Sequence, residues 1–182
     1  YKDLNHDGVI DSNDQAPIGY NPVPEMTFSL AAGLNWKGFD FSILLQGAAR
    51  SSIYLQQDIA WDNFWGNYYE EHIGRWTPET AATATYPRFT KAATAAHPNY
   101  YKSDYWLKDS KYLRLKNIQL GYTIPRKLLK KFGVRSLRVY ANAYNLFTWD
   151  NVKKVDPESS NNSNGQFYPQ QKVINFGINL NF

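Results

Sequence analysis

The sequence predicts an all-β chain: about five antiparallel strands from the C-terminal part of a large transmembrane β-barrel, with long outer loops. Three observations predict it. Apolar and polar residues alternate over runs of up to eleven residues. At about 3.3 Å per residue and a tilt of about 45°, such a run rises roughly 25 Å, the height of a barrel's apolar band. The polar positions are asparagine, glycine, serine and threonine, which suit a hydrated lumen. The connections alternate between short and very long, as between the two sides of a membrane.

The first strand carries Met26, Phe28, Leu30, Ala32, Leu34 and Trp36 on one face and Thr27, Ser29, Ala31, Gly33 and Asn35 on the other. After a Lys37-Gly38 turn, Phe39, Phe41, Ile43 and Leu45 alternate with Asp40, Ser42 and Gln46, and Leu44 breaks the pattern. Two alternating runs about a glycine turn form a hairpin. Ile118, Leu120, Tyr122 and Ile124 alternate with Asn117, Gln119, Gly121 and Thr123 until Pro125, which cannot donate to a ladder. Pro125 then opens a short basic helix, Arg126 to Lys131, that Gly133 closes. Leu137, Val139, Ala141 and Ala143 form a weaker strand, since Tyr140 and Tyr144 place bulk on the opposite face. The last strand has Ile174, Phe176, Ile178, Leu180 and Phe182 against Asn175, Gly177, Asn179 and Asn181.

Residues 1–25, 50–111 and 149–170 are the long segments; Lys37-Gly38 and 125–135 are the short links. With Phe182 on the periplasmic side, every long segment falls outside. Five strands cannot close a barrel, for which about eight is the minimum, so the chain is expected to be the C-terminal part of something larger. It opens at Tyr1 within a loop, without a signal peptide.

Aromatic residues make up 16% of the 182 residues, with 14 tyrosines and 6 tryptophans. That surplus suits sugar-contacting surfaces or interfacial belts. No run approaches the ~20 apolar residues of a transmembrane helix. A net charge of +4 without a long basic stripe gives no basis for nucleic-acid binding. Absence of cysteine excludes disulfide scaffolds and Cys-based metal sites within the chain.

Ser103-Asp104-Tyr105-Trp106, followed by the run from Tyr112 to Pro125 (YLRLKNIQLGYTIP), closely resembles a signature of the SusC/RagA family of TonB-dependent transporters. So do Arg75-Trp76-Thr77-Pro78-Glu79, Tyr86-Pro87-Arg88-Phe89, and Asn145-Leu146-Phe147-Thr148-Trp149 with Asp156-Pro157-Glu158. The resemblance covers nearly the whole chain. It implies a barrel of about 22 strands with a plugged lumen, in the outer membrane of a Bacteroidetes-like Gram-negative cell. It also implies a SusD-like lipoprotein lid, energy delivered through TonB, and an oligosaccharide or oligopeptide as cargo, the oligosaccharide being the reading preferred.

Asp3-Leu4-Asn5-His6-Asp7-Gly8-Val9-Ile10-Asp11-Ser12-Asn13-Asp14 fits a calcium loop of the EF-hand type. Oxygen side chains stand at positions 1, 3, 5, 9 and 12 (Asp3, Asn5, Asp7, Asp11 and Asp14). Gly8 supplies the turn at position 6, and Val9 would offer its carbonyl at position 7. A hard cation needs that many oxygens from one tight loop. Aspartate in place of glutamate at position 12 resembles dockerin loops. The competing reading is a solvated acidic turn.

Segment 50–111 is rich in rings. Most are expected to give a long loop its own small core, and Trp61, Trp65 and Tyr69 are the candidates for stacking on a ligand. His6, His72 and His97 are too scattered for a zinc cluster or a triad, and the carboxylate pairs Glu70-Glu71 and Asp58 with Asp62 read as solvated loop acids, so no enzyme is expected. The rival to a transporter is a soluble cell-surface glycan-binding β-domain with a calcium-stabilised loop. The two differ in whether the Ile174–Leu180 face meets lipid or a second sheet.

Overall fold

In a computed structural model, residues 1–64, 66–91, 97–152, 155–159, 168 and 170–182 are described. The chain divides into two compact units. One comprises Tyr1–Val23, Ser51–Ser110 and Val152–Tyr168; the other comprises Pro24–Arg50, Lys111–Asn151 and Pro169–Phe182.

The second unit is an antiparallel sheet. Its strands are β1 (Met26–Trp36), β2 (Phe39–Ala49), β5 (Tyr112–Thr123), β6 (Ser136–Asp150) and β7 (Val173–Asn181), in the order β1-β2-β5-β6-β7. Each strand except the two outermost pairs on both sides, and the sheet is open. β1 and β2 turn at Lys37 and Gly38, whose φ values of 46° and 89° lie in the left-handed region that a two-residue hairpin turn requires. Arg126–Leu129 forms α1, a 3-10 turn follows over Lys130–Phe132, and Gly133 ends it at φ 70°. This is the closure expected of the basic link.

Register is where the sheet departs from simple alternation. Leu44 faces Asn117 and Leu45 faces Leu115, so Lys116 is an extra residue, a β-bulge. Before the bulge the apolar residues of β5 are Leu113 and Leu115; after it they are Ile118, Leu120 and Tyr122. β6 accommodates the same place with Asn145 at φ 50° and resumes as Phe147 facing Leu115. The strand therefore runs to Asp150, well beyond the expected end near Tyr144, and the long connection starts two residues later than anticipated.

Two glycines are demanded by close approach. A Cβ on Gly47 would stand 2.4 Å from the Phe28 ring that lies over it. A Cβ on Gly177 would stand 2.3 Å from the Tyr140 ring. Phe28 and Gly47 are directly paired across β1 and β2, as are Tyr140 and Gly177 across β6 and β7.

The first unit has little regular structure but does have a core. β3 (Ser52–Tyr54) and β4 (Leu107–Asp109) pair antiparallel. Ile53, Leu55, Ala60, Trp61, Tyr86, Tyr100, Trp106 and Val152 are buried together. A long connecting segment thus carries its own packed interior, because its rings supply enough apolar surface to offset the ordering of an irregular backbone.

Candidate functional site

The sheet register sorts the side chains of the second unit into two faces. On one, directly opposed residues form continuous rows: Trp36, Phe39, Tyr122, Val139 and Ile178; Leu34, Phe41, Leu120, Ala141 and Phe176; Ala32, Ile43, Ile118, Ala143 and Ile174. Beyond the bulge the rows continue as Leu30, Leu45, Leu115 and Phe147, then Phe28, Gly47, Leu113 and Trp149. Many of these side chains are exposed, Phe176 to 82% and Ile178 to 70%. A contiguous apolar surface of this size needs a partner or a lipid phase. Aromatic residues concentrate in its end rows. Trp36, Phe39 and Tyr122 occupy one end, with Phe39 and Tyr122 rings 4.5 Å apart; Phe28 and Trp149 occupy the other. The nine residues from Phe28 to Trp36 span about 27 Å along the strand, or about 20 Å once tilted as in a barrel. An apolar band flanked by aromatic girdles is the exterior of a transmembrane barrel.

The opposite face is polar. Gly33, Ser42, Gln119, Asn142 and Asn175 share a row, and Ser29, Gln46, Arg114 and Thr148 another. Arg138 bridges to Asp40, with Nε donating to Oδ1 at 2.9 Å and a terminal guanidinium nitrogen to Oδ2 at 2.5 Å. Gly121 lies beneath this pair, since a Cβ there would meet both partners at 2.5 Å. Arg138 also covers the Tyr140 ring at 4.8 Å.

In the first unit a buried carboxylate organises the aromatic core. Asp62 is fully buried and accepts from the Tyr100 hydroxyl, from the Thr90 amide at 3.0 Å and from the Tyr86 hydroxyl at 3.4 Å. Tyr86 also donates to the Ala60 carbonyl at 2.8 Å. Burial, with the Asp62 charge beside them, pushes both phenols well above the usual tyrosine range. His72 is buried as well; its Nδ1 accepts from the Tyr69 amide at 3.0 Å, which leaves Nε2 to donate to Ala60 at 3.3 Å.

This core contains part of what was read as a ligand site. Trp61 is only 3% exposed and packs against Tyr100 (rings 4.6 Å apart) and Phe64 (5.9 Å). It is a core side chain, with no free ring face to stack on a ligand. Tyr69 remains partly exposed, donates to the Asp58 carbonyl, and lines a pocket of about 380 Å³ with Ile59, Glu70 and Glu71. Trp65 lies outside the described residues. Asp62, read as a solvated loop acid, is the hub of the core; the positions that bond it lie 24 to 38 residues away, a separation no local pattern announces.

Asp3, Asn5, Asp7, Asp11 and Asp14 hold segment 3–14 through their own backbone. Asp3 accepts from the His6 amide at 2.6 Å and the Gly8 amide at 2.9 Å, and Asp7 from the Val9 amide at 2.8 Å. Asn5 accepts from the Asp7 amide at 3.0 Å, and Asp11 from the Asn13 amide at 2.7 Å. Asp14 reaches back to the Leu4 amide at 2.7 Å and accepts from Asp11 at 2.9 Å. The Asp11 and Leu4 amides hold its carboxyl below the usual range. Gly8 takes φ 82° and His6 takes φ 62°, so the turn stands where the spacing demands it. Among the described residues, however, no three His, Cys, Asp or Glu side chains gather closely enough to hold an ion.

No protein-family profile matches the chain. Over its whole length it is 30% identical to a TonB-dependent receptor of Formosa agariphila, covering 19% of that protein. It is likewise 27% identical to the TonB-dependent receptor SusC of Bacteroides thetaiotaomicron, covering 17% of it. Along its whole length the chain is similar to TonB-dependent receptors, SusC among them. It spans about a fifth of the length of these curated relatives. Its fold is similar to a chain of the RagAB peptide importer in an "open-open" state, with a TM-score of 0.71 at 23% identity over 96% of this chain and 19% of that one. A "closed-closed" state of the same importer gives 0.67 at 22% identity. The expected antiparallel barrel strands stand with that likeness. The relatives are receptors and not enzymes.

The residues that carry the SusC/RagA resemblance have structural work in both units. Tyr86 and Trp106 are buried in the aromatic core, and Arg75 covers the Phe89 ring at 4.9 Å. The first twelve residues of the YLRLKNIQLGYTIP run are β5 itself, bulge included.

Proposed function

We propose that the chain supplies wall strands and outer segments to an outer-membrane receptor that imports an oligomeric nutrient with energy delivered through TonB, under a SusD-like lipoprotein lid. The observation that carries this is the continuous apolar face of the five-stranded sheet, bounded at both ends by aromatic rows. A second sheet could cover such a face in a soluble domain, but it would not call for rings at both borders. The homology to TonB-dependent receptors supports the same reading.

The chain has no cysteine of its own, and with any cysteine elsewhere in the receptor replaced by serine, single introduced cysteines report position. In the full-length receptor in membranes, cysteines at Ile174, Phe176 and Ile178 should resist a water-soluble maleimide, while those at Asn175 and Asn179 should react. Uniform labelling across both sets would remove the barrel. For cargo we put an oligosaccharide first, since Tyr68, Tyr69, Trp76 and Tyr101 keep exposed rings in the first unit. A peptide could use the same rings, as the likeness to the RagAB peptide importer suggests. Growth of a receptor-deletion strain on defined oligosaccharides or oligopeptides separates the two.

We further propose that segment 3–14 takes a structural calcium ion through Asp3, Asn5, Asp7, the Val9 carbonyl, Asp11 and Asp14. The donors are hard oxygens at EF-hand spacing, and each carboxylate retains at least one lone pair outside these bonds. The carboxylates would have to draw together around the ion. Affinity on the order of 10⁻⁴–10⁻³ M is expected for such a loop. Calorimetric titration of the full-length receptor tests it: no heat from calcium, or equal heat after Asp3→Asn with Asp7→Asn, would leave only a solvated turn.

A further inference from the structure

We propose that the link between β5 and β6 is a docking surface for anionic phospholipid headgroups. The inference rests on the outer-membrane reading and adds a lipid preference to it.

Between Thr123 and Leu137 the chain carries Arg126, Lys127, Lys130, Lys131 and Arg135 and no acidic residue. All five cations are exposed, and none takes part in an ion pair found among the described residues. Leu129 alone of the helical turns is buried, which fixes α1 on the sheet. Its neighbours Leu128 and Phe132 are 66% and 75% exposed. Both apolar side chains thus protrude from the link among the cations. A solvated turn has no reason to present both.

The position in the sheet identifies the occupant. This link leaves β5 just after Tyr122, in the row of Trp36 and Phe39, one aromatic border of the apolar face. Lys37 stands at the same border, its ammonium 4.9 Å from the Trp36 ring centre. Asp40, in the adjoining row, is taken by Arg138. At the other border both signs occur, with Glu25 beside Arg50 at 3.9 Å and Asp150 closing β6. An all-cationic border with protruding apolar side chains beside an aromatic girdle complements an anionic headgroup layer: ammonium and guanidinium groups meet phosphates while Leu128 and Phe132 enter the acyl boundary.

The test uses the intact receptor in mild detergent, titrated with equal amounts of phosphatidylglycerol and phosphatidylcholine and read by native mass spectrometry. Wild type should retain phosphatidylglycerol in preference. K130Q/K131Q should weaken that retention roughly 25-fold, at about 5-fold for each cation removed, and Phe132→Ser should weaken retention of both lipids. R126Q/K127Q serves as the second pair should the first fail to fold, as judged by heat-modifiable migration. Phosphatidylglycerol retention unchanged by a folded pair overturns the inference and leaves the barrel standing. A receptor that stays monodisperse without detergent or lipid overturns the barrel reading instead.

Discussion

Arginine placed on successive rows of β7 measures what the apolar face touches. Ile174 lies in the middle row, with Ala32, Ile43, Ile118 and Ala143, whereas Ile178 shares the aromatic border row with Trp36, Phe39 and Tyr122. The two positions are four residues apart, so about 10 Å separates them in depth after tilt. If the face meets lipid, Ile174→Arg costs about 2–4 kcal/mol and Ile178→Arg about 0–1 kcal/mol, because the penalty falls toward the interface. Asn175→Arg, on the polar face beside Asn142, should be near neutral. The assay is the urea unfolding midpoint of the full-length receptor refolded into phosphatidylcholine vesicles. Under a second sheet, both apolar-face substitutions would bury an unpaired charge and cost alike; in water, neither would cost much. A graded loss across Phe176 is therefore specific to a bilayer. Equal midpoints for Ile174→Arg and Asn175→Arg would refute the reasoning.

Asp62→Ala should strand the Tyr100 hydroxyl and the Thr90 amide, costing about 3–5 kcal/mol in all; hydrogen exchange across 86–106 should accelerate, and unchanged protection would deny Asp62 its role as hub. Gly177→Ala forces a Cβ into the Tyr140 ring and should cost about 1–3 kcal/mol, partly recovered in the double variant with Tyr140→Ala, as read by the urea midpoint. Burial pushes Tyr54 and Tyr105 up to about 12, above the value near 10 of an unfolded chain. Their contribution is whole below pH 10 and is lost as pH rises from 10 through 12, because the unfolded phenols ionise first. Phenolate absorbance at alkaline pH should show these two lagging the exposed tyrosines, and a single transition near 10 in the folded receptor would contradict it.

The hairpin of β1 and β2 was legible because period two runs unbroken from Met26 to Trp36 and because Lys37-Gly38 can adopt left-handed φ. The first half of β5 was not. Lys116 shifts the parity of the apolar residues, so Leu113 and Leu115 fall out of step with Ile118 and Leu120 although the paired strands place all four on one face. The end of β6 was hidden in the same way by Asn145. β3 and β4 join residues more than fifty positions apart, and three-residue strands have too little length to show a period. Trp61 shows the limit for sites. An aromatic ring in a polar loop reads alike whether it packs or protrudes, and Tyr100, the ring packed closest on it, lies far along the chain. The acidic segment was legible in its turn, where Gly8 takes the conformation the spacing requires, while ion occupancy depends on how far its carboxylates can converge.

The rings over Gly47 and Gly177 bear on how the sheet avoids mispairing. A slip of one residue is self-correcting in such a sheet, since it would turn asparagines toward the apolar side. A slip of two keeps every face correct and is the cheap error. Here it would set Phe28 on Leu45 or Ala49, and Tyr140 on Asn175 or Asn179, where a side chain occupies the space that each ring needs. One such key sits on the apolar face between β1 and β2, the other on the polar face between β6 and β7. Both outermost pairings are thereby locked against the two-residue slip, so each edge can meet its next neighbour strand at a single height.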